Sequence, residues 1–283
     1  MKICIVGLGL IGGSYAMGLS KKGHEVYGLD KNLDTINYAI SKGYIKDGTT
    51  DNYAILSKMD LIILAIYPQS ILKFLEENNK YFKSNQVITD VCGIKTSFVY
   101  KAAALSGEAT YLSHHPMAGK EKIGIEYADS NIFNGANYLI TPIDGTPSLA
   151  IKLLETIAND LEFGRITVIT PERHDKMIGF TSQLTHAIAV SLVNSDQDEE
   201  TRSFIGDSYR DLTRIAMINE KLWSELFLEN KQELLSHIEN FEAELDILKN
   251  ALKTNDKEKL NELFKHSTIV RKKMEKWDNL KYL

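Results

Sequence analysis

The sequence predicts an α/β domain on a doubly wound parallel sheet over residues 1–169, followed by an all-α domain over residues 170–283. Three observations carry that expectation. Short, apolar, β-rich runs alternate with helical patterns through the first part, as strands do when crossover helices bury both their faces. A glycine-rich turn joins the first such run to the first helix. Beyond Thr170-Pro171-Glu172 the strand signal vanishes and only helical periodicity remains.

Residues 3–6 form the first buried strand, and the chain then breaks at Gly7-Leu8-Gly9-Leu10-Ile11-Gly12. A helical pattern runs to about Lys22, residues 26–29 make a second strand, and Asp30 stands at its end. This is a βαβ unit of the Rossmann type with a dinucleotide fingerprint. Gly7 permits the tight turn, Gly9 lets the backbone approach a pyrophosphate, and Gly12 lets the helix sit close to the strands. The helix N-terminus then turns free N–H groups and the positive end of its dipole toward the phosphates. Asp30 is positioned to accept both ribose hydroxyls and to repel a 2′-phosphate. The expected cofactor is therefore NAD, with Lys31 the one counter-signal. Residues 3–20 carry no charge, but five glycines in that run argue against a signal peptide or a membrane span.

The alternation continues in order. Residues 33–42 are helical, and 61–66 form a buried strand closed by Tyr67-Pro68, which joins the nucleotide side of the crevice. Then follow a helix over 70–82, a strand over 86–90 and a helix over 95–106. Strands near 110–113 and 137–141, a helix over 148–161 and a last strand near 165–169 complete one parallel sheet. Ligands of such sheets bind beyond the carboxyl ends of the strands. Asp90-Val91-Cys92-Gly93 and the loop His114-His115-Pro116-Met117-Ala118-Gly119 fall there, facing the crevice of the Gly7 turn.

At the boundary, Thr170 suits a helix N-cap, Pro171 the first helical position and Glu172 the first-turn dipole. One long helix is expected from near Glu220. Its Leu234, Ile238, Phe241, Leu245, Leu248 and Leu252 alternate spacings of four and three, a heptad seam. Thr254-Asn255-Asp256 interrupts it, and Leu260, Leu263, Val270, Met274 and Trp277 resume similar spacing. That face is more than one small domain needs, so a homodimer through the helical half is expected. Within this half, His174-Asp175, His186 and Arg214 stand out. His186 and Arg214 lie in apolar surroundings and read as inward-facing. A buried arginine needs an anion, which Asp211 or a substrate carboxylate could supply.

Bulk properties remove other classes. A net charge of −5 leaves no footprint for nucleic acid, and 43% apolar with 25% charged residues fits neither a disordered nor a membrane protein. Cys4 and Cys92 are too few for a disulfide framework, which suits reduced thiols and a cytoplasmic location. Neither CxxC nor HExxH occurs, so no metal site is expected.

Together, GLGLIGGS from Gly7, TDVCGIK over 89–95, HPMAGKE over 115–121, TSQLTH over 181–186, LTRIA over 212–216, Trp223 and FLENK over 227–231 make the chain resemble the prephenate/arogenate dehydrogenases. The resemblance spans nearly the whole chain in order. It implies oxidative decarboxylation of prephenate to 4-hydroxyphenylpyruvate with NAD, in tyrosine biosynthesis. It gives the catalytic role to His115, the histidine before the proline, and substrate binding to His186 and Arg214. Glu121 and Trp223 match positions lining the family's site. Many members carry a serine that assists the catalytic histidine where this chain has Gly93; water, Thr96 or Ser97 could take its place. No chorismate mutase or amino-acid-binding module is expected within residues 254–283. Arogenate is the alternative substrate. Two further alternatives share the architecture: a β-hydroxyacid dehydrogenase or pyrroline carboxylate reductase type, the former needing a catalytic lysine such as Lys176, and a non-enzymatic NAD(H)-sensing dimer.

Overall fold

The computed structural model describes residues 1–120 and 122–279. Its first part alternates strand and helix: β1 (Lys2–Val6), α1 (Leu10–Lys21), β2 (Glu25–Leu29), α2 (Leu33–Ser41), β3 (Asp47–Thr49), β4 (Leu61–Leu64), α3 (Pro68–Asn78), β5 (Val87–Asp90), α4 (Val99–Leu105) and β6 (Thr110–Tyr111). These six strands form one all-parallel sheet in the order β3-β2-β1-β4-β5-β6. The strand order reverses between β1 and β4, which opens the ligand crevice of a doubly wound sheet at their carboxyl ends. Ile3, Cys4 and Ile5 of β1 and all of β4 are buried, because helices cover both faces.

Two features of this part escape the apolar pattern. β3 is Asp-Gly-Thr, with no apolar residue to signal a strand, and is held by pairing with Tyr27, Gly28 and Leu29. Helix α4 begins at Val99 rather than Lys95, because Lys95 and Thr96 turn their backbone N–H groups to the Asp175 carboxylate.

The remaining strands leave the parallel sheet. β7 (Ser113–Pro116), β8 (Asn137–Thr141) and β9 (Arg165–Val168), with α5 (Ser148–Asp160) before β9, build a second sheet in the order β7-β8-β9. β8 and β9 are parallel, whereas β7 and β8 are antiparallel with His115 opposite Leu139. The expected single sheet is thus two, and the expected His114–Gly119 loop begins as a strand.

The helical part opens with α6 (Pro171–Ile178), capped by the Thr170 hydroxyl accepting from the Arg173 N–H, with Pro171 in its first turn. A π-helical turn (Gly179–Gln183) leads into α7 (Leu184–Asn194), then come α8 (Asp207–Thr213) and α9 (Glu220–Glu229). α10 (Lys231–Lys253) and α11 (Lys257–Asn279) follow. The single helix expected from Glu220 is therefore two. The break is at Asn230, whose buried amide donates to the Asp175 carbonyl and to Gln183 Oε1 instead of sitting on a helix surface.

Contacts group Met1–Lys231 into one compact unit and Gln232–Leu283 into another, whereas secondary-structure class changes at Thr170. In the second unit Asn255 takes a left-handed conformation (φ 53°) in the turn before α11. Phe241, Leu245, Leu252 and Met274 of the heptad rows are exposed in the isolated chain. The Trp277 side chain lies outside the described residues. Among the described residues no helix is long and apolar enough to cross a membrane, and both cysteines are free and buried.

Candidate active site

The glycine turn after β1 is shaped by close approach. Gly7 has φ +88°, and a Cβ there would stand 2.6 Å from the Ala65 carbonyl oxygen. A Cβ on Gly12 would stand 1.8 Å from the Gly7 carbonyl oxygen. At Gly9, by contrast, an added Cβ would meet nothing within 4 Å. Gly9 is also the N-cap of α1, and no side chain caps that helix end. Its first N–H groups are left for an anion. Asp30 ties the turn to the end of β2, its Oδ2 accepting from the Leu8 N–H at 2.8 Å and its Oδ1 from the Asn32 N–H at 2.9 Å. The uncapped helix end, the open space over Gly9 and the carboxylate at the next strand fit a dinucleotide. Gly9, Leu10, Ile11, Tyr67 and Pro68 line the cleft, whereas Gly7, Leu8, Gly12 and Asp30 form the turn and its support.

The cleft has a volume of about 910 Å³ and runs from this turn past the ends of β4 and β5 to α7 and α9. Strand pleat decides which histidine of the Ser113–Pro116 strand reaches it. His114 points away and is fully buried, with Tyr15 Oη 2.8 Å from Nε2 and Thr89 Oγ1 2.6 Å from Nδ1. Burial drives its pKa down to about 3. His115, one residue on, is half-buried and lines the cleft. Its Nδ1 lies 2.9 Å from His174 Nε2, and His174 Nδ1 lies 2.7 Å from Asp175 Oδ1. Burial holds the His115 imidazole well below its ordinary pKa, and His174, Lys95 and His114 push the same way. The ring is therefore neutral at neutral pH and able to accept a proton.

Behind the histidine sits a buried ion pair. Lys95 Nζ donates to Asp90 Oδ1 at 3.0 Å, to the Cys92 carbonyl at 2.7 Å and to the His114 carbonyl at 2.8 Å. Both side chains are fully buried. Asp90 also accepts from Tyr111 Oη at 2.6 Å and from the Cys92 N–H at 2.9 Å. Burial alone would raise the Asp90 pKa, but Lys95 and these hydrogen bonds outweigh it and hold the carboxyl below its ordinary range. The pair fixes the floor of the cleft, joining the end of β5 to the backbone of β7.

The opposite wall is helical. His186 and Trp223 stack with ring centroids 3.7 Å apart, and His186 Nδ1 lies 2.9 Å from the Ser182 carbonyl. His186, Trp223 and Arg214 all line the cleft that His115 lines. Two expectations are corrected here. His186 is half-buried rather than enclosed, and Arg214 is exposed rather than buried, because it begins a single 3-10 turn (Arg214–Ala216) at the cleft rim. The apolar neighbours that suggested burial do not close over it: Leu212 is 56% exposed, and Ile215 and Ala216 are only half-buried. Glu121 lies outside the described residues. Lys176 is exposed on α6 and is not among the cleft-lining residues.

Four residues of this wall were not singled out for the site by sequence. Gln183 donates to the Leu226 carbonyl and accepts from Asn230, and Glu225 accepts from the Gln69 N–H at the start of α3. Asn219 Nδ2 lies 3.4 Å from Tyr67 Oη. A lone amide in an apolar run, as at Gln183, was the only signal available. Among the described residues no group of three or more His, Cys, Asp or Glu could hold a metal ion.

Comparisons with known proteins show which family the chain is similar to. Residues 15–167 match the family model described as prephenate dehydrogenase, nucleotide-binding domain, and residues 170–266 match prephenate dehydrogenase, dimerization domain. A prephenate dehydrogenase of Lactococcus lactis is 31% identical over 285 residues, covering 97% of this chain and 77% of that protein. Among solved structures, the prephenate dehydrogenase of A. aeolicus in complex with hydroxyphenyl propionate and NAD⁺ has a TM-score of 0.88 and 30% identity, covering 97% of this chain and 98% of that one. The arogenate dehydrogenase of Synechocystis superposes with a TM-score of 0.83 at 26% identity, covering 97% and 100%.

Proposed function

The chain belongs to the prephenate dehydrogenase family, and we propose that it catalyses the NAD-dependent oxidative decarboxylation of prephenate to 4-hydroxyphenylpyruvate. The observation that carries this reading is an imidazole, His115, and a guanidinium, Arg214, bordering one cleft with the uncapped glycine turn.

NAD, when bound, supplies the hydride acceptor. The N–H groups at the start of α1 would hold its pyrophosphate, and the remaining lone pairs of Asp30 would take the ribose hydroxyls. His115 hydrogen-bonds the ring hydroxyl of the substrate and accepts its proton as the carbon loses hydride. A positioned base of this kind is worth about 10²–10⁴ in rate. Arg214 grips a substrate carboxylate with its two-point fork, where a lysine would offer a single charge. His186, held against Trp223, meets the polar end of the substrate side chain. Departure of CO₂ makes the ring aromatic, which drives the step forward. The exposed heptad rows support a homodimer through the helical half, and static light scattering at micromolar concentration is expected to give twice the monomer mass.

Incubation with NAD⁺ and prephenate at neutral pH should produce the absorbance of NADH. His115→Asn should abolish turnover while NAD binding survives. Running arogenate in parallel separates the two substrates. Binding of NAD with no turnover of either compound by the wild-type chain would refute the proposal in favour of a nucleotide sensor.

A further inference from the structure

We infer that His174 and Asp175 form a positioning relay that fixes His115 in the Nδ1–H tautomer, so that its Nε2 lone pair is the one presented to the cleft. The inference rests on the reading of His115 as the base and adds what sets its proton, a job that no hydroxyl at position 93 can do in this chain.

Donor and acceptor accounting carries the argument. The Asp175 carboxylate accepts from the Lys95 N–H (2.9 Å) and His174 Nδ1 (2.7 Å) on Oδ1, and from the Thr96 N–H (2.7 Å) on Oδ2. Burial alone would raise its pKa, but His174 and Thr96 outweigh it, and the group stays ionised and accepts only. His174 must then donate from Nδ1. Its ring is fully buried, and burial lowers its pKa, so it is neutral and its Nε2 bears a lone pair. A lone pair 2.9 Å from His115 Nδ1 requires the proton of that contact to sit on His115. Neutral His115 has one ring proton, and its Nε2 is left unprotonated. A Cβ built on Gly93 would lie 3.6 Å from His115 Nε2, so that nitrogen faces the strand end from which the cleft opens.

Position supports the same role. His174 and Asp175 sit on α6, the first helix past the sheet. The Asp175 carbonyl accepts from Asn230, whose amide also reaches Gln183, so the relay is anchored to α9 and to the π-helical turn. Thr96 gives both its backbone N–H and its side-chain hydrogen bond to Asp175, and Ser97 Oγ is buried without a hydrogen-bond partner. Neither replaces the missing hydroxyl; the His174 imidazole does. When His115 takes the substrate proton it becomes an imidazolium with two N–H groups. Its Nδ1–H then points along the relay to a carboxylate, which stabilises the charge without leaving any donor unpaired.

The test uses the full chain, with turnover and proton position read separately. Asp175→Asn keeps the volume but gives His174 a donor to face. This reverses its tautomer, turns His174 Nε2–H on His115 Nδ1 and puts the His115 proton on Nε2. The analogous change in a serine-protease triad costs about 10⁴ in kcat, so kcat should fall on the order of 10³-fold or more while the KM and the affinity for NAD stay within about threefold. His174→Gln, which retains an acceptor for His115, should keep much more kcat than His174→Phe. Independently, ¹⁵N-histidine NMR at pH 7.5, assigned by difference against His115→Asn, should put the His115 proton on Nδ1 in the wild type and on Nε2 in Asp175→Asn. A wild-type His115 protonated on Nε2, or equal kcat in the Gln and Phe variants, would overturn the relay. A wild-type chain inactive on both substrates would instead sink the assigned reaction, and the NMR result would still decide the relay.

Discussion

Replacing Lys95 with methionine should destabilise the fold far more than its exposed neighbours could. Lys95 is fully buried, and its ammonium makes three hydrogen bonds, to Asp90 Oδ1, the Cys92 carbonyl and the His114 carbonyl. Methionine fills the same volume but leaves the Asp90 carboxylate buried without its counter-charge. Tyr111 Oη and the Cys92 N–H still bond Asp90, so the group is not wholly orphaned. Breaking a buried pair from one side costs about 3–5 kcal/mol, and the two surviving bonds put this case toward the lower end. A total stability of roughly 5–15 kcal/mol would lose a large fraction. Urea unfolding followed by circular dichroism measures the loss. Adding Asp90→Asn to Lys95→Met should recover part of it, because the second change removes the stranded charge. The pH dependence must also reverse. In the wild type the Asp90 pKa is lowered, so its contribution is present above the unfolded carboxyl value and lost as pH falls toward the folded one. Without Lys95, burial raises it, and the variant's stability at this group is instead greatest in acid and lost as pH rises. A cost below about 1 kcal/mol, where a surface position would fall, would refute the view that this pair holds the cleft floor. A double variant no more stable than the single one would refute it equally.

Three further outcomes follow from the geometry. Gly12→Ala forces a Cβ to 1.8 Å from the Gly7 carbonyl oxygen, so the turn must open; NAD affinity measured by calorimetry should fall at least about tenfold and thermal stability should drop, and unchanged binding would count against the turn as the pyrophosphate site. Arg214→Gln should raise the KM for prephenate roughly 10- to 100-fold, as expected for losing a charge-assisted fork, with little change in cofactor affinity; an equal KM would remove the carboxylate-binding role. His114, His115 and His174 are all held below the ordinary histidine range, chiefly by burial, so unfolding takes up protons at each. Their stability contribution is intact above about pH 6.5 and declines as pH falls below it, and a urea midpoint that stays flat from pH 7 to 5 would contradict this.

The parts of the fold that were legible in sequence are those where burial alone dictates residue type. β1 and β4 are apolar because both faces are covered, and the Gly7 and Gly12 contacts admit no side chain. β3 was invisible because Asp47-Gly48-Thr49 gains its place from pairing with β2 rather than from apolar character. The split into two sheets was invisible for a related reason. Residues 110–113 read as one strand running into a loop from His114, and only Leu112, donating to the Ile88 carbonyl between the two strands, marks where the chain leaves one sheet for the other. Arg214 was misread because flanking apolar residues imply burial only when something packs over them. In this chain Leu212 stands exposed and Ile215 and Ala216 are only half-buried, so Arg214 stays at the cleft rim.

The paired histidines make the same point about site chemistry. His114 and His115 are identical in composition and adjacent in sequence, so propensity and pattern cannot separate them. Strand pleat separates them completely: His114 meets Tyr15 and Thr89 in the core, while His115 meets the cleft and His174. A slip of one residue in the pairing with β8 would exchange their faces. Register thus decides which histidine meets the cleft. The Lys95 ammonium donates to the His114 carbonyl from a fully buried ion pair, and Met117 continues β7 by donating to the Asn137 carbonyl of β8. Those two bonds bracket His115 on either side. His115 therefore owes its place to backbone contacts made by its neighbours, and its own side chain is left to meet His174 behind and the cleft in front.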